Sequence, residues 1–129
     1  MTINHVAIWT SQLEELKAFY EKYFQGRSNE KYVNTKKGFE SYFITFKEGA
    51  SLELMRRVGM NEQDKDAEKF YSGFTHMAFS VGSKEKVDEL TEKMVNDGFK
   101  KLDGPRTTGD GFYESSIVDP DGNILEITV

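Results

Sequence analysis

One pattern occurs twice in this chain, and that duplication limits the folds open to it more than any other feature. Ile3-Asn4-His5-Val6-Ala7-Ile8 returns as Phe74-Thr75-His76-Met77-Ala78-Phe79, with His76 following His5 by 71 residues. Gly49-Ala50-Ser51-Leu52-Glu53-Leu54 returns as Gly122-Asn123-Ile124-Leu125-Glu126-Ile127, where the glutamates are 73 residues apart. A small insertion in the second copy accounts for the difference. A unit repeated only twice cannot build the continuous core of an open solenoid, so the expectation is a duplicated fold whose halves pack together.

Each copy carries the same series of elements. Residues 2–10 alternate as a strand does, and a helix follows in which Leu13, Leu16, Tyr20, Tyr23 and Phe24 recur on one face. Ser11 to Glu14 has capping-box spacing, and Gly26 stands where a helix stops. In the second copy Ser83 is the expected N-cap, Val87, Leu90, Met94 and Val95 the buried stripe, and Gly98 the left-handed terminator. Three extended runs then follow each helix, over 29–35, 39–47 and 50–56, and over 99–106, 112–118 and 123–128. Asp119-Pro120-Asp121-Gly122 marks a tight reversal before the last of them. The predicted fold class is α+β, with two tandem βαβββ modules, 1–57 and 73–129, forming a single domain over 1–129. The polar stretch between them reads as a linker with room for one short helix.

Composition excludes several functions. A chain of 129 residues, 37% hydrophobic and 13% aromatic, has enough apolar surface for one core. Its net charge is −5 with scattered basic residues, so neither a nucleic-acid nor a membrane-surface partner is expected. No run is long and apolar enough to span a bilayer and the first residues resemble no signal peptide; with no cysteine to argue for export, the expected location is cytoplasmic.

Strand parity then groups the ionisable residues. His5 shares a face with Ile3, Ala7 and Trp9, Glu53 with Ser51 and Met55, His76 with Phe74, Ala78 and Ser80, and Glu126 with Ile124 and Thr128. The opposite face of these strands holds Val6, Ile8, Leu52, Leu54, Met77, Phe79, Leu125 and Ile127, the surface a helix would cover. Two imidazoles and two carboxylates without sulfur suit one divalent ion, nickel, zinc, cobalt, manganese or ferrous iron, and leave positions open for water or a substrate. The mundane alternative is satisfied core histidines and edge glutamates, but four residues matched by a repeat and by parity favour a metal.

These residues carry a family resemblance. The paired modules, the Asn4-His5-Val6-Ala7 and Thr75-His76-Met77-Ala78 strands and the terminal Asp119-Pro120-Asp121-Gly122-Asn123-Ile124-Leu125-Glu126 resemble the vicinal oxygen chelate superfamily, which includes glyoxalase I, bleomycin-resistance proteins and extradiol dioxygenases. The resemblance implies a cupped sheet around one metal, and a homodimer. It further implies His5, Glu53, His76 and Glu126 as the ligands, since this order is similar to bacterial glyoxalase I, whereas epimerases typically have Gln at the position of Glu53 and dioxygenases use three ligands. The implied activity is a lyase or isomerase (lactoylglutathione lyase) in which the metal chelates the vicinal oxygens of a small substrate such as a 2-oxoaldehyde hemithioacetal. Glu126, with Glu53 able to share the task, would move a proton between adjacent carbons. A methylmalonyl-CoA epimerase-like enzyme and a non-catalytic binding protein for a drug or toxin are the alternatives.

The chain departs from glyoxalase I after its second expected ligand. Leu54-Met55-Arg56-Arg57-Val58-Gly59 replaces the threonine and asparagine segment that helps hold glutathione, leaving the thiol open. Arg57 has the parity of Glu53 and is placed to meet a substrate anion; Arg106 is read in the same way, each against the plainer reading of an exposed strand-end arginine. Gly109-Asp110-Gly111-Phe112-Tyr113 reads as a rim loop or a simple surface turn, and Trp9 as a cavity wall or core.

Overall fold

The computed structural model describes residues 1–61 and 66–129, and the chain divides into two compact units, Met1–Asp64 and Lys65–Val129. In the first unit β1 (His5–Trp9) is followed by α1 (Leu13–Phe24), β2 (Arg27–Ser28), β3 (Tyr32–Asn34), β4 (Phe39–Thr45) and β5 (Ser51–Arg57). In the second, β6 (His76–Ser80) is followed by α2 (Lys84–Asn96), β7 (Lys101–Thr107), β8 (Tyr113–Val118) and β9 (Ile124–Thr128). Both are βαβββ modules. The second strand of the first module is broken into β2 and β3, where a single run over 29–35 was expected.

The sheets share one topology. Strand order is β1-β5-β4-β2, with β3 also on β4, in one unit and β6-β9-β8-β7 in the other. The first strand of each module runs parallel to the last, and the remaining pairs are antiparallel. A parallel pair needs a long crossover, which the helix and intervening strands of each module supply. Helix α1 packs on β4 and β5, and α2 on β7, β8 and β9.

Burial follows the predicted parity. Leu52, Leu54, Leu125 and Ile127 are buried on the helix face, whereas His5, Ala7 and Trp9, and His76, Ala78 and Ser80, are exposed on the other. Under the first sheet Leu13, Leu16, Phe19, Tyr20 and Tyr23 fill the core; Phe19 takes a fully packed place and Phe24 a half-buried one. Under the second, Val87, Thr91 and Met94 are buried and Val95 is 42% exposed, contrary to its expected place in the stripe. Thr91 enters the core because its hydroxyl is satisfied, with Val87 O and Ser115 Oγ each at 2.6 Å.

The helix ends also differ from expectation. The N-cap of α1 is Gln12, which makes no side-chain capping bond, and its N–H donates to Thr10 Oγ1 at 2.9 Å, so the box from Ser11 to Glu14 is not formed. Its left-handed terminal residue is Gln25 (φ 55°), not Gly26. Gly26 answers a packing need, since a Cβ there would lie 2.4 Å from Ile44 Cγ2. In the second module Ser83 caps α2 through Lys86 N at 3.3 Å and Gly98 has φ 97°, both as expected.

Asp119 anchors the turn that launches β9. It is 4% exposed, and its carboxylate accepts from the N–H groups of Asp121 and Asn123 and from the Asn123 side-chain amide, at 2.8 to 3.0 Å. This holds the strand bearing Glu126 in register. At the end of the same sheet β7 bulges against β8 around Gly104, where φ is 75° and an added Cβ would meet Glu114 O at 2.4 Å and Ser115 Cα at 2.9 Å. Gly104→Ala is expected to cost roughly 2 kcal/mol or more, because both the dihedral and the backbone contact oppose a side chain. Gly109→Ala, with open space around it, should change stability by under about 0.5 kcal/mol, and urea titration of both variants checks the two values.

Candidate metal centre

The parallel pairing of each module's outer strands places one histidine beside one glutamate. His5 lies opposite Ser51 and Ala7 opposite Glu53; His76 lies opposite Ile124 and Ala78 opposite Glu126. Each imidazole therefore reaches diagonally to a carboxylate two residues along the next strand, on the same face. The alanine beside each glutamate leaves room for that reach. His5 Nε2 is 3.8 Å from Glu53 Oε2, and His76 Nε2 is 3.1 Å from Glu126 Oε2. Solvent access is matched as well, with the histidine side chains 41% and 40% exposed and the glutamates 16% and 21%.

The other imidazole nitrogen is held in both cases by the preceding residue. Asn4 Oδ1 lies 2.8 Å from His5 Nδ1, and Thr75 Oγ1 lies 3.0 Å from His76 Nδ1. An amide oxygen only accepts, so His5 carries its proton on Nδ1 and, when neutral, turns the Nε2 lone pair toward a carboxylate. Lone pair facing anion calls for a cation between them. A proton would make an exposed ion pair of little worth, about 0–1 kcal/mol. Adjacent N and O ligands about 2.1 Å from one metal are themselves roughly 3 Å apart, the spacing of the His76–Glu126 pair at 3.1 Å, while the His5–Glu53 pair at 3.8 Å is wider. Holding Nδ1 is also how metal-ligating histidines are usually fixed in orientation.

The four predicted residues thus form two matched pairs, His5 with Glu53 and His76 with Glu126. Within either unit, among the described residues, no third His, Asp or Glu joins a pair in a metal-holding group. Each pair supplies one imidazole and one carboxylate, donors that suit a divalent first-row ion.

Around the pairs the units differ. In the first, Phe43 is paired in register with Glu53 and stands edge-on to His5, with centroids 5.4 Å apart, while Trp9 meets Phe39 edge-on at 6.1 Å. Trp9 is 49% exposed and is not core. In the second, Ser116 pairs with Glu126 and Glu114 with Thr128, which puts Glu114 on the same face as Glu126. Burial, reinforced by Glu126 and Asp110, raises the Glu114 carboxyl above its ordinary value, against the opposing pull of Arg106 and His76. Sequence reasoning passed over Glu114, and also the roles of Asn4 and Thr75. A polar residue before each histidine was a legible signal, whereas Glu114 needed the β8–β9 register.

Two expectations at the rim resolve differently. Arg106 is engaged by Asp103, with Nε 2.7 Å from Oδ2, whereas Arg57 is exposed at the end of β5. The segment Gly109–Tyr113 is a tied hairpin turn. Thr108 N–H donates to Phe112 O at 2.8 Å, and Phe112 N–H donates back to Thr108 Oγ1 at 3.1 Å.

A raised carboxyl pKa means that the folded state holds the Glu114 proton more tightly than the unfolded chain does. Its favourable contribution is present below the unfolded pKa and is lost as pH rises through the folded one. Glu114→Gln should therefore raise the melting temperature of metal-free protein at pH 7, with the gain shrinking as thermal melts are repeated at acidic pH.

The profile of the Glyoxalase/Bleomycin resistance protein/Dioxygenase superfamily matches residues 2–127. The uncharacterised Bacillus subtilis protein YqjT is 25% identical over 128 residues, covering 97% of this chain and 96% of its own. Among solved structures, the trypanothione-dependent glyoxalase I of Leishmania major superposes with a TM-score of 0.77 at 21% identity, over 99% of this chain and 86% of that one. Glyoxalase I of Zea mays gives 0.80 at 21% identity over 98% of this chain and 44% of that one, and the fosfomycin resistance protein FosX of Listeria monocytogenes 0.73 at 17% over 98% and 89%. At these identities the structural likenesses establish the fold.

Proposed function

The chain belongs to the Glyoxalase/Bleomycin resistance protein/Dioxygenase superfamily, and we propose that it is a metal-dependent lyase or isomerase of the glyoxalase I type. The observation that carries this reading is the pair of His–Glu contacts, each with Nδ1 anchored and Nε2 turned to a carboxylate. His5, Glu53, His76 and Glu126 would hold one divalent ion, nickel, zinc, cobalt, manganese or iron. The reading requires the modules 1–57 and 73–129 to act as one domain; a cytoplasmic homodimer is the proposed setting.

Bound there, the ion would polarise two vicinal oxygens of a substrate such as a 2-oxoaldehyde hemithioacetal and draw off the charge that develops on proton removal. The protein's own residues do the rest. Asn4 and Thr75 fix the imidazoles in orientation. Glu126 removes the proton from one carbon and returns it to the next, and Glu53 is placed to share that transfer. Partial burial of both carboxylates limits the water that competes for the proton.

Protein purified without added metal should contain about one divalent ion per shell. His5→Ala and Glu126→Gln should each weaken metal binding by more than about 100-fold, and Asn4→Ala by about tenfold, as an outer partner does. Native protein free of metal, with affinities unmoved by these changes, would overturn the proposal. Deuterium exchange at the substrate carbon, followed on a hemithioacetal and on a chiral thioester, distinguishes the lyase from an epimerase; turnover of the thioester alone would favour the latter.

A further inference from the structure

What the module needs in order to fold recurs in both copies, so side chains present on one ligand-bearing face and missing from the other point to the substrate. Trp9 occupies the position of Ser80 in the repeat, and Phe43 that of Ser116. The face beside His5 and Glu53 is therefore aromatic where its counterpart carries hydroxyls. Phe43 lies next to Glu53 in register, Trp9 next to Met55, and Phe39 next to Arg57, so the rings follow β5 away from the histidine. Trp9 and Phe39 meet edge-on at 87°, and Trp9 keeps half its surface open. The strip ends on an exposed guanidinium. Among the described residues no carboxylate forms an ion pair with Arg57. From Glu53 to Arg57 is four residues of strand, roughly 13 Å, of which the arginine side chain itself covers part.

A ligand held by its oxygens at the Glu53 end and running along this strip meets rings first and a cation last. We propose that the oxygen-bearing carbons of the substrate are attached to a flat aromatic group whose far end is anionic, a carboxylate or a phosphate. This deepens the metal-enzyme reading and rests on it. The aromatic edges offer a planar group favourable contacts, and a guanidinium recognises either anion through its fork of donors.

Three hydroxamates separate these contributions, since all present two vicinal oxygens: acetohydroxamate, benzohydroxamate and 4-carboxybenzohydroxamate. Titrated calorimetrically into zinc-loaded protein, affinity should rise about fivefold on adding the ring and about fivefold again on adding the carboxylate. Trp9→Leu should remove the first step and Arg57→Gln the second, with circular dichroism confirming that both variants are folded. Trp9 is the chain's only tryptophan, so its emission should change with benzohydroxamate and not with acetohydroxamate. Equal affinities for the three probes, or steps that survive both substitutions, would overturn the substrate assignment while leaving the metal site intact. Failure of the protein to hold zinc or any of the three hydroxamates would overturn both. Replacing the carboxylate by a phosphate on the same ring then identifies which anion is preferred.

Discussion

The parallel pairing between the first and last strands of each module is the constraint on which the rest depends. It sets His5 against Ser51 and His76 against Ile124, and the pleat then directs each imidazole toward the glutamate two residues further along. A shift of one residue would turn the glutamate to the helix face and bring Leu52 or Leu125 out to solvent. The buried leucines that hold each sheet to its helix therefore also hold the His–Glu geometry. Stability and the His–Glu geometry share one register.

That coupling explains why the turns before β5 and β9 matter. Asp119 satisfies the backbone of its turn with both carboxylate oxygens, and the strand carrying Glu126 starts from a fixed point. The first module has no such aspartate in its Lys47-Glu48-Gly49 turn. There the parallel ladder is continued by the Ser51 N–H, which donates to Asn4 O at 3.0 Å, so Asn4 ties the strand through its backbone and orients His5 through its side chain.

The modules share a frame and differ in what surrounds the His–Glu pair. One face presents Phe43 and Trp9 and ends at Arg57; the other presents Ser116 and Ser80 in their places, and Glu114 in the place of Ser41. Family membership accounts for the frame. The differences are where a particular substrate would be recognised, because the repeated structure does not require them.

Much of this was legible in the chain itself. The repeat, two periods of hydrophobicity and strand parity were enough to name both modules, the helix faces and the four ionisable residues, because side-chain direction in strands and helices is a local property. Other features depended on distant contacts. Thr91 is buried because Ser115 meets it, Gly26 is glycine because Ile44 comes close, and Val95 is exposed because Thr91 and Met94 fill the interior position. Glu114 came into view only with the pairing of β8 and β9, and the Nε2-to-carboxylate distances only with that of β1 and β5 and of β6 and β9. The sequence determined which residues share a face. The tertiary structure decided which of them meet, since register is a relation between strands far apart in the chain and no local pattern encodes it.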